Sequence, residues 1–220
     1  MGSAQGRVDM ITLYLVRHGQ TAWNKEEVFR GRADIPLNET GRKEALLTGQ
    51  YLRGVSMDSI YSSPLSRALE TAEAIARYQG KEVQILEGLI DIDFGGWQGI
   101  SHEVVRERYP ELYRQWKESP HLVRFPEGEN LEEVRKRALE AIRGVIRDHS
   151  DDNLVMVSHR VINKIAICGL LGLDDSHFWQ IGQDTGCIDV LEFEEGFTLR
   201  CLNDTSHLRS IEGERVRIDF

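Results

Sequence analysis

The apolar positions of this chain fall into short β-rich runs separated by longer stretches of helical period. Ile11 to Val16 (ITLYLV) is continuous, as in a strand buried on both faces of a parallel sheet. Ser59 to Ser62 and Val83 to Leu86 are briefer strands, and Leu154 to Val157 is fully apolar. Cys187 to Phe193 and Phe197 to Asn203 read as a hairpin turning at Glu195-Gly196. Between these runs, Gly41 to Gly54 sets Ala45, Leu46, Gly49 and Leu52 on or near one helical face. Leu65 to Tyr78 follows Pro64 at a helix start, and Glu132 to Arg147 and Val161 to Leu171 are two further helices. Alternating strands and helices predict an α/β fold: one three-layer domain, its mainly parallel central sheet flanked by helices. Ser101 to Asn130, helical with a break at Pro110 and then loop-like, interrupts the alternation. It is expected as a helical insertion near the active site, in the place of a lid.

Composition narrows this picture. The 220 residues, 40% hydrophobic and 29% charged, suit one soluble domain over residues 11–220, with the polar residues 1–10 as a tail outside it. No apolar run approaches the roughly 20 residues of a membrane-spanning helix, and the N-terminus has no secretory apolar region, so no membrane association is expected. Cys168, Cys187 and Cys201 stand apart, which argues against a disulfide framework or a zinc site and for a reducing cytoplasm. A formal net charge of −9 disfavours nucleic acid as a partner. An anionic substrate would need a local basic pocket in this acidic body.

Such a pocket is legible at the strand ends. In open α/β sheets ligands bind at the carboxyl ends of the strands. Three of the expected strands run into Arg17-His18-Gly19, into Ser62-Ser63-Pro64 with Arg67 beyond, and into Ser158-His159-Arg160. Two histidines and several arginines thereby converge on one edge, and no packing requirement demands that.

LVRHGQTAWN, from Leu15 to Asn24, resembles the Arg-His-Gly motif of the histidine phosphatase family, also called phosphoglycerate-mutase-like. The resemblance continues in order through GRADIPLNETGRKEA, YSSPLSRALETAEAIA, IDFGGWQG and VMVSHR, and covers nearly the whole chain from Ile11 onward. It implies a phosphomonoesterase with His18 as nucleophile and a phosphohistidine intermediate. Arg17, Arg67 and His159 would surround the transferring phosphoryl group, and Asn24 would add a neutral donor. The family's acid is a glutamate, and Asp91 stands at that position; Asp93 or a bridging water is the alternative. Arg30 and Gly31 would frame the substrate pocket. Arg160 departs from the family's small residue or threonine and either adds a cation, meets a substrate carboxylate or points away. Trp97 is expected as a packing anchor.

The resemblance implies no metal and no cofactor, because arginines supply the positive charge. The partner is a small phosphorylated substrate. Phosphoserine is favoured by ERYPELYRQWKESPHLVRFPEGENLEEV and by the tail around Asn203 to Leu208, where His207 and Leu208 would touch substrate. The alternatives are α-ribazole phosphate, a broad range of monoesters, a mutase reaction on phosphoglycerate, and an inactive member acting as a binding module. The C-terminal hairpin offers an edge for a homodimer.

Overall fold

The structure is a computed structural model and describes residues 10–215. Six strands form one sheet: β1 (Ile11–Arg17), β2 (Ser59–Ser62), β3 (Val83–Ile85), β4 (Asn153–Ser158), β5 (Ile188–Phe193) and β6 (Phe197–Asp204). Their order across the sheet is β3-β2-β4-β1-β5-β6. The first four are mutually parallel, and β5 and β6 add antiparallel to β1. The helices are α1 (Ala22–Lys25), α2 (Glu39–Leu52), α3 (Ser66–Gln79), α4 (His102–Arg108), α5 (Pro110–Glu118), α6 (Leu131–Arg147) and α7 (Arg160–Leu170).

Side chains of a strand alternate between faces, and here both faces are apolar, which is why β1 and β4 read as unbroken hydrophobic runs. Leu13, Leu15, Leu154 and Met156 belong to a core shared with α6, α7 and the 102–125 segment. Val16, Val155 and Val157 face the other way, with Ile60, Ile188 and the buried side of α3. That makes the three layers expected. On α6 the buried residues Leu131, Val134, Ala138, Ile142 and Val145 recur with helical spacing. Fully burying a large aliphatic side chain stabilises by roughly 1.5–3 kcal/mol, so this stripe fixes the helix on the sheet.

Three local features differ from the pattern reading. Pro110 begins α5 at its first turn, where a missing N–H costs nothing, so the break separates two helices. The 3-10 turns at Asp175–Gln180 and Ser206–Glu214 have no period that would announce them. The insertion is anchored to the core: Trp116 is fully buried among Phe94, Phe125 and Phe178, with ring centroids 5.2–6.1 Å away. Trp97 is also fully buried, as a packing anchor should be. Among the described residues no helix is long and apolar enough to cross a membrane.

Candidate active site

Parallel pairing puts Arg17 opposite Ser158, so the residues that follow β1 and β4 emerge side by side. His18 and His159 are those residues, and their ring centroids are 5.1 Å apart. His159 is also the N-cap of α7, and Arg67 enters from the first turn of α3. Asp91 lies on the segment after the 3-10 turn Glu87–Leu89. All of these side chains, with Arg17, are buried.

The nucleophile candidate is oriented by its neighbour's backbone. Nδ1 of His18 lies 2.6 Å from the carbonyl oxygen of Gly19. A carbonyl can only accept, so Nδ1 carries the proton and Nε2 keeps its lone pair. Burial, and then the guanidiniums of Arg67, Arg17 and Arg30, hold the His18 pKa well below its ordinary 6.5. Burial first, then Arg67, His18, Arg30 and Arg137, depress His159 in the same direction. Nε2 of His159 is 2.7 Å from Ser63 Oγ, and its Nδ1 is 3.8 Å from Asp91 Oδ2.

Arg67 is pinned by three acceptors. It donates from Nη1 to the Ala33 carbonyl at 2.8 Å, and from Nη2 to the Gly31 carbonyl at 2.7 Å and to Asp91 Oδ2 at 3.2 Å. Arg17 donates to the carbonyl of Gln183, whose side-chain amide is in turn bound to Asp189 and Asn163. Asp189 is buried and its pKa is pushed up to about 7 by desolvation. The Nε of Arg17, Arg30 and Arg67, and Nδ1 of His159, are buried and make no hydrogen bond among the described residues. Buried donors left over in this way mark a place built to receive an anion. Among the described residues no group of three or more His, Cys, Asp or Glu side chains is arranged to hold a metal ion.

Of the two candidate acids, only Asp91 faces the histidines. Asp93 accepts from Gly95 N at 2.8 Å, and its own N–H donates to Glu129 at 3.0 Å. Sequence reading missed what holds Asp91 in place. Arg137 on α6 donates to the carbonyls of Gly88 (2.9 Å), Ile90 (2.7 Å) and Asp91 (3.1 Å), and its Nε pairs with Glu129 at 2.9 Å. Ser63 and Gln183 were also missed; only the position of Ser63 at a strand end hinted at its part.

The remaining expected residues divide. Arg160 is buried at the start of α7, so it is no surface arginine. Asn24 spends its Oδ1 on Thr21 N and Oγ1, both at 2.9 Å, which leaves its amide nitrogen as the donor for a ligand. Gly31 has φ +51°, and a Cβ there would stand 2.4 Å from Gln98 Oε1 and 2.7 Å from the Ile92 carbonyl. Its small size therefore serves protein packing, while its carbonyl serves Arg67. His207 and Leu208 are not brought to the phosphate pocket. His207 is 3.1 Å from Thr48 Oγ1 on α2 and stacks on Tyr51, and Leu208 is fully buried against Gly186. The tail is pulled there because Arg215 pairs at 3.0 Å with buried Glu44, the acceptor of the Gln20 N–H at 2.6 Å. It thus supports the nucleophile loop from behind.

Comparison with known proteins matches this arrangement. The family model described as histidine phosphatase superfamily (branch 1) matches residues 13–205. The chain belongs to this superfamily. Phosphoserine phosphatase 1 of Hydrogenobacter thermophilus is 40% identical over 200 residues, covering 90% of this chain and 95% of that protein. Bacillus stearothermophilus YhfR superposes with a TM-score of 0.86 at 32% identity, over 90% of this chain and 100% of the other. A phosphoserine phosphatase mutant from Entamoeba histolytica in complex with phosphoserine gives a TM-score of 0.82 at 30% identity, over 90% and 99%. This histidine phosphatase is accordingly an enzyme that hydrolyses phosphomonoesters.

Proposed function

We propose that the chain hydrolyses phosphoserine through a phosphohistidine at His18. The observation that carries this reading is the Nδ1 contact of His18 with the Gly19 carbonyl. It leaves an uncharged Nε2 aimed out of the backbone, and Arg17, Arg30, Arg67 and His159 lie around it. In the first step Nε2 attacks phosphorus, the ester P–O bond breaks, and Asp91 gives a proton to the departing oxygen. In the second, Asp91 takes a proton from water as the water attacks the phosphohistidine, which releases inorganic phosphate and restores the imidazole. Charge on the non-bridging oxygens is met by the arginine forks, a task that a metal performs in other phosphatases. Phosphoserine is the substrate of choice because two of the similar proteins are named for it.

The test is phosphate release from phosphoserine, α-ribazole phosphate, 3-phosphoglycerate and p-nitrophenyl phosphate, with chelator present, for wild type and His18→Ala. An alkaline quench during turnover should trap a base-stable phosphoryl group on wild type and none on the variant. Full activity of His18→Ala would refute the mechanism, and a clear preference for another ester would replace the substrate.

A further inference from the structure

Four successive backbone carbonyls, from Gly88 to Asp91, each accept a hydrogen bond from a side chain. Nη1 of Arg137 donates to the carbonyls of Gly88 at 2.9 Å and Ile90 at 2.7 Å, and its Nη2 donates to that of Asp91 at 3.1 Å. Ser158 Oγ donates to the remaining one, Leu89, at 2.7 Å. Ser158 is the residue before His159, so the same segment is tied to the end of β4. The backbones are also pressed together: a Cβ on Gly88 would stand 2.4 Å from Ala141 Cβ and 2.9 Å from the Arg137 carbonyl.

Glu129 takes up the rest of the guanidinium. It accepts from Arg137 Nε at 2.9 Å and from Nη2 at 3.0 Å, so all five N–H groups of that arginine are donated. Its Oε2 also accepts from Asp93 N at 3.0 Å, and its own N–H donates to the Asp93 carbonyl at 2.9 Å. Arg32 pairs with Glu129 Oε1 at 3.0 Å, and the neighbours of Arg32, Gly31 and Ala33, supply the carbonyls that hold Arg67. Burial acts to raise the Glu129 pKa, but hydrogen bonds from Arg137 and Asp93 outweigh it and leave the carboxyl below its ordinary value. Only Cβ separates the carboxyl of an aspartate from its main chain, so two torsions and the backbone decide where it lies. Ties that fix these carbonyls therefore fix Asp91.

We infer that Arg137, braced by Glu129, is a positioning residue of the phosphatase reaction, which sets the Asp91 carboxyl where it can pass a proton to the leaving oxygen. It acts from α6 through the main chain of residues 88–91. The inference rests on the reading of Asp91 as the acid and deepens it. A misplacement of about 1 Å in a reacting group lowers the rate about 100-fold. Here the loss falls on the step that moves the proton, which gives it a signature of its own.

The experiment uses two variants: Arg137→Lys keeps the charge and loses the fork, and Glu129→Gln keeps the shape and loses the charge. For each, kcat/KM is measured on p-nitrophenyl phosphate and on phosphoserine, or on whichever alkyl ester the enzyme turns over best. Arg137→Lys should lower the alkyl-to-aryl ratio about 10–100-fold, and Glu129→Gln should move it the same way by less. A purely structural role would slow both esters alike, and an unchanged ratio in Arg137→Lys would overturn the inference. Glu129→Gln carries the test where Arg137→Lys fails to fold, and an unchanged ratio there counts the same way. In an Asp91→Asn background Arg137→Lys should have no further effect on the ratio; its full effect there would also overturn the positioning role. Asp91→Asn alone tests the underlying reading. If it leaves the ratio unchanged, the acid reading falls and the inference with it. A ratio lowered by Asp91→Asn but untouched by Arg137→Lys sinks the inference alone.

Discussion

Gly19 and Gly41 meet backbone to backbone, and a Cβ on Gly19 would sit 2.4 Å from the Gly41 carbonyl oxygen. The contact presses the start of α2 against the loop that follows His18. A Cβ on Gly41 would come within 2.0 Å of the Gln20 carbonyl, so neither residue tolerates a side chain without moving the loop. Gly41→Ala should destabilise the fold by about 1–3 kcal/mol, as overpacking does. It should also lower kcat about 100-fold, because a shift of about 1 Å in a reacting group has that effect. Gly54→Ala, where a Cβ meets nothing within 4 Å, is the control and should change neither. Urea denaturation and steady-state kinetics on the two variants check this.

The buried imidazoles make stability depend on pH in a definite sense. His18, His159 and His102 all have folded-state pKa values below 6.5, so beneath that pH the unfolded chain binds more protons than the native one. Their contribution is therefore whole above about pH 6.5 and is lost as pH falls toward the folded values, at up to about 1.4 kcal/mol per pH unit for each. Urea midpoints measured from pH 7.5 to 5 should decline, and His102→Phe, which keeps the ring stacked on Phe29, should lessen the slope. The nucleophile has its own signature. Histidine nitrogen spectra at pH 6 should show His18 neutral with the proton on Nδ1; an imidazolium there would contradict the geometry.

Arg67 carries positive charge into a wholly buried place, but its fork matters as much as the charge. Arg67→Lys keeps the charge and cannot reach the Ala33 carbonyl, the Gly31 carbonyl and Asp91 together. We expect kcat/KM to fall at least about 100-fold with the fold retained. Arg67→Met strands a buried carboxylate at Asp91 and should cost about 3–5 kcal/mol of stability as well. A lysine variant with near wild-type kcat/KM would mean that charge alone suffices.

The centre of the sheet was legible because β1 and β4 are continuous apolar runs, and the shorter β2 was read to the residue from Ser59 to Ser62. The pairing of His18 with His159 was legible for the same reason, since parallel strands deliver the residues that follow them to one edge. What the pattern could not show depends on contacts distant in sequence. Arg137 acts on carbonyls 46 to 49 residues away, so nothing near Asp91 announces what holds it. His207 and Leu208 belong to a tail whose seat is decided by a buried pair, Arg215 with Glu44, separated by 171 residues.

Asp91 is the residue whose chemistry most needs a direct test, because one methylene separates it from the family's glutamate. Its Oδ2 faces both Arg67 and His159, whereas Asp93 is committed to Gly95, with Arg32 3.8 Å away. An acid that protonates the leaving oxygen matters in proportion to how poor that leaving group is. Asp91→Asn should lower kcat for phosphoserine about 100- to 10,000-fold, since a serine alkoxide cannot depart without a proton. For p-nitrophenyl phosphate, whose phenolate leaves unaided, the loss should be much smaller. Asp93→Asn should leave the ratio between the two substrates unchanged. Equal losses on both esters in Asp91→Asn would give Asp91 a different part, that of holding Arg67, and would leave the proton to come from water.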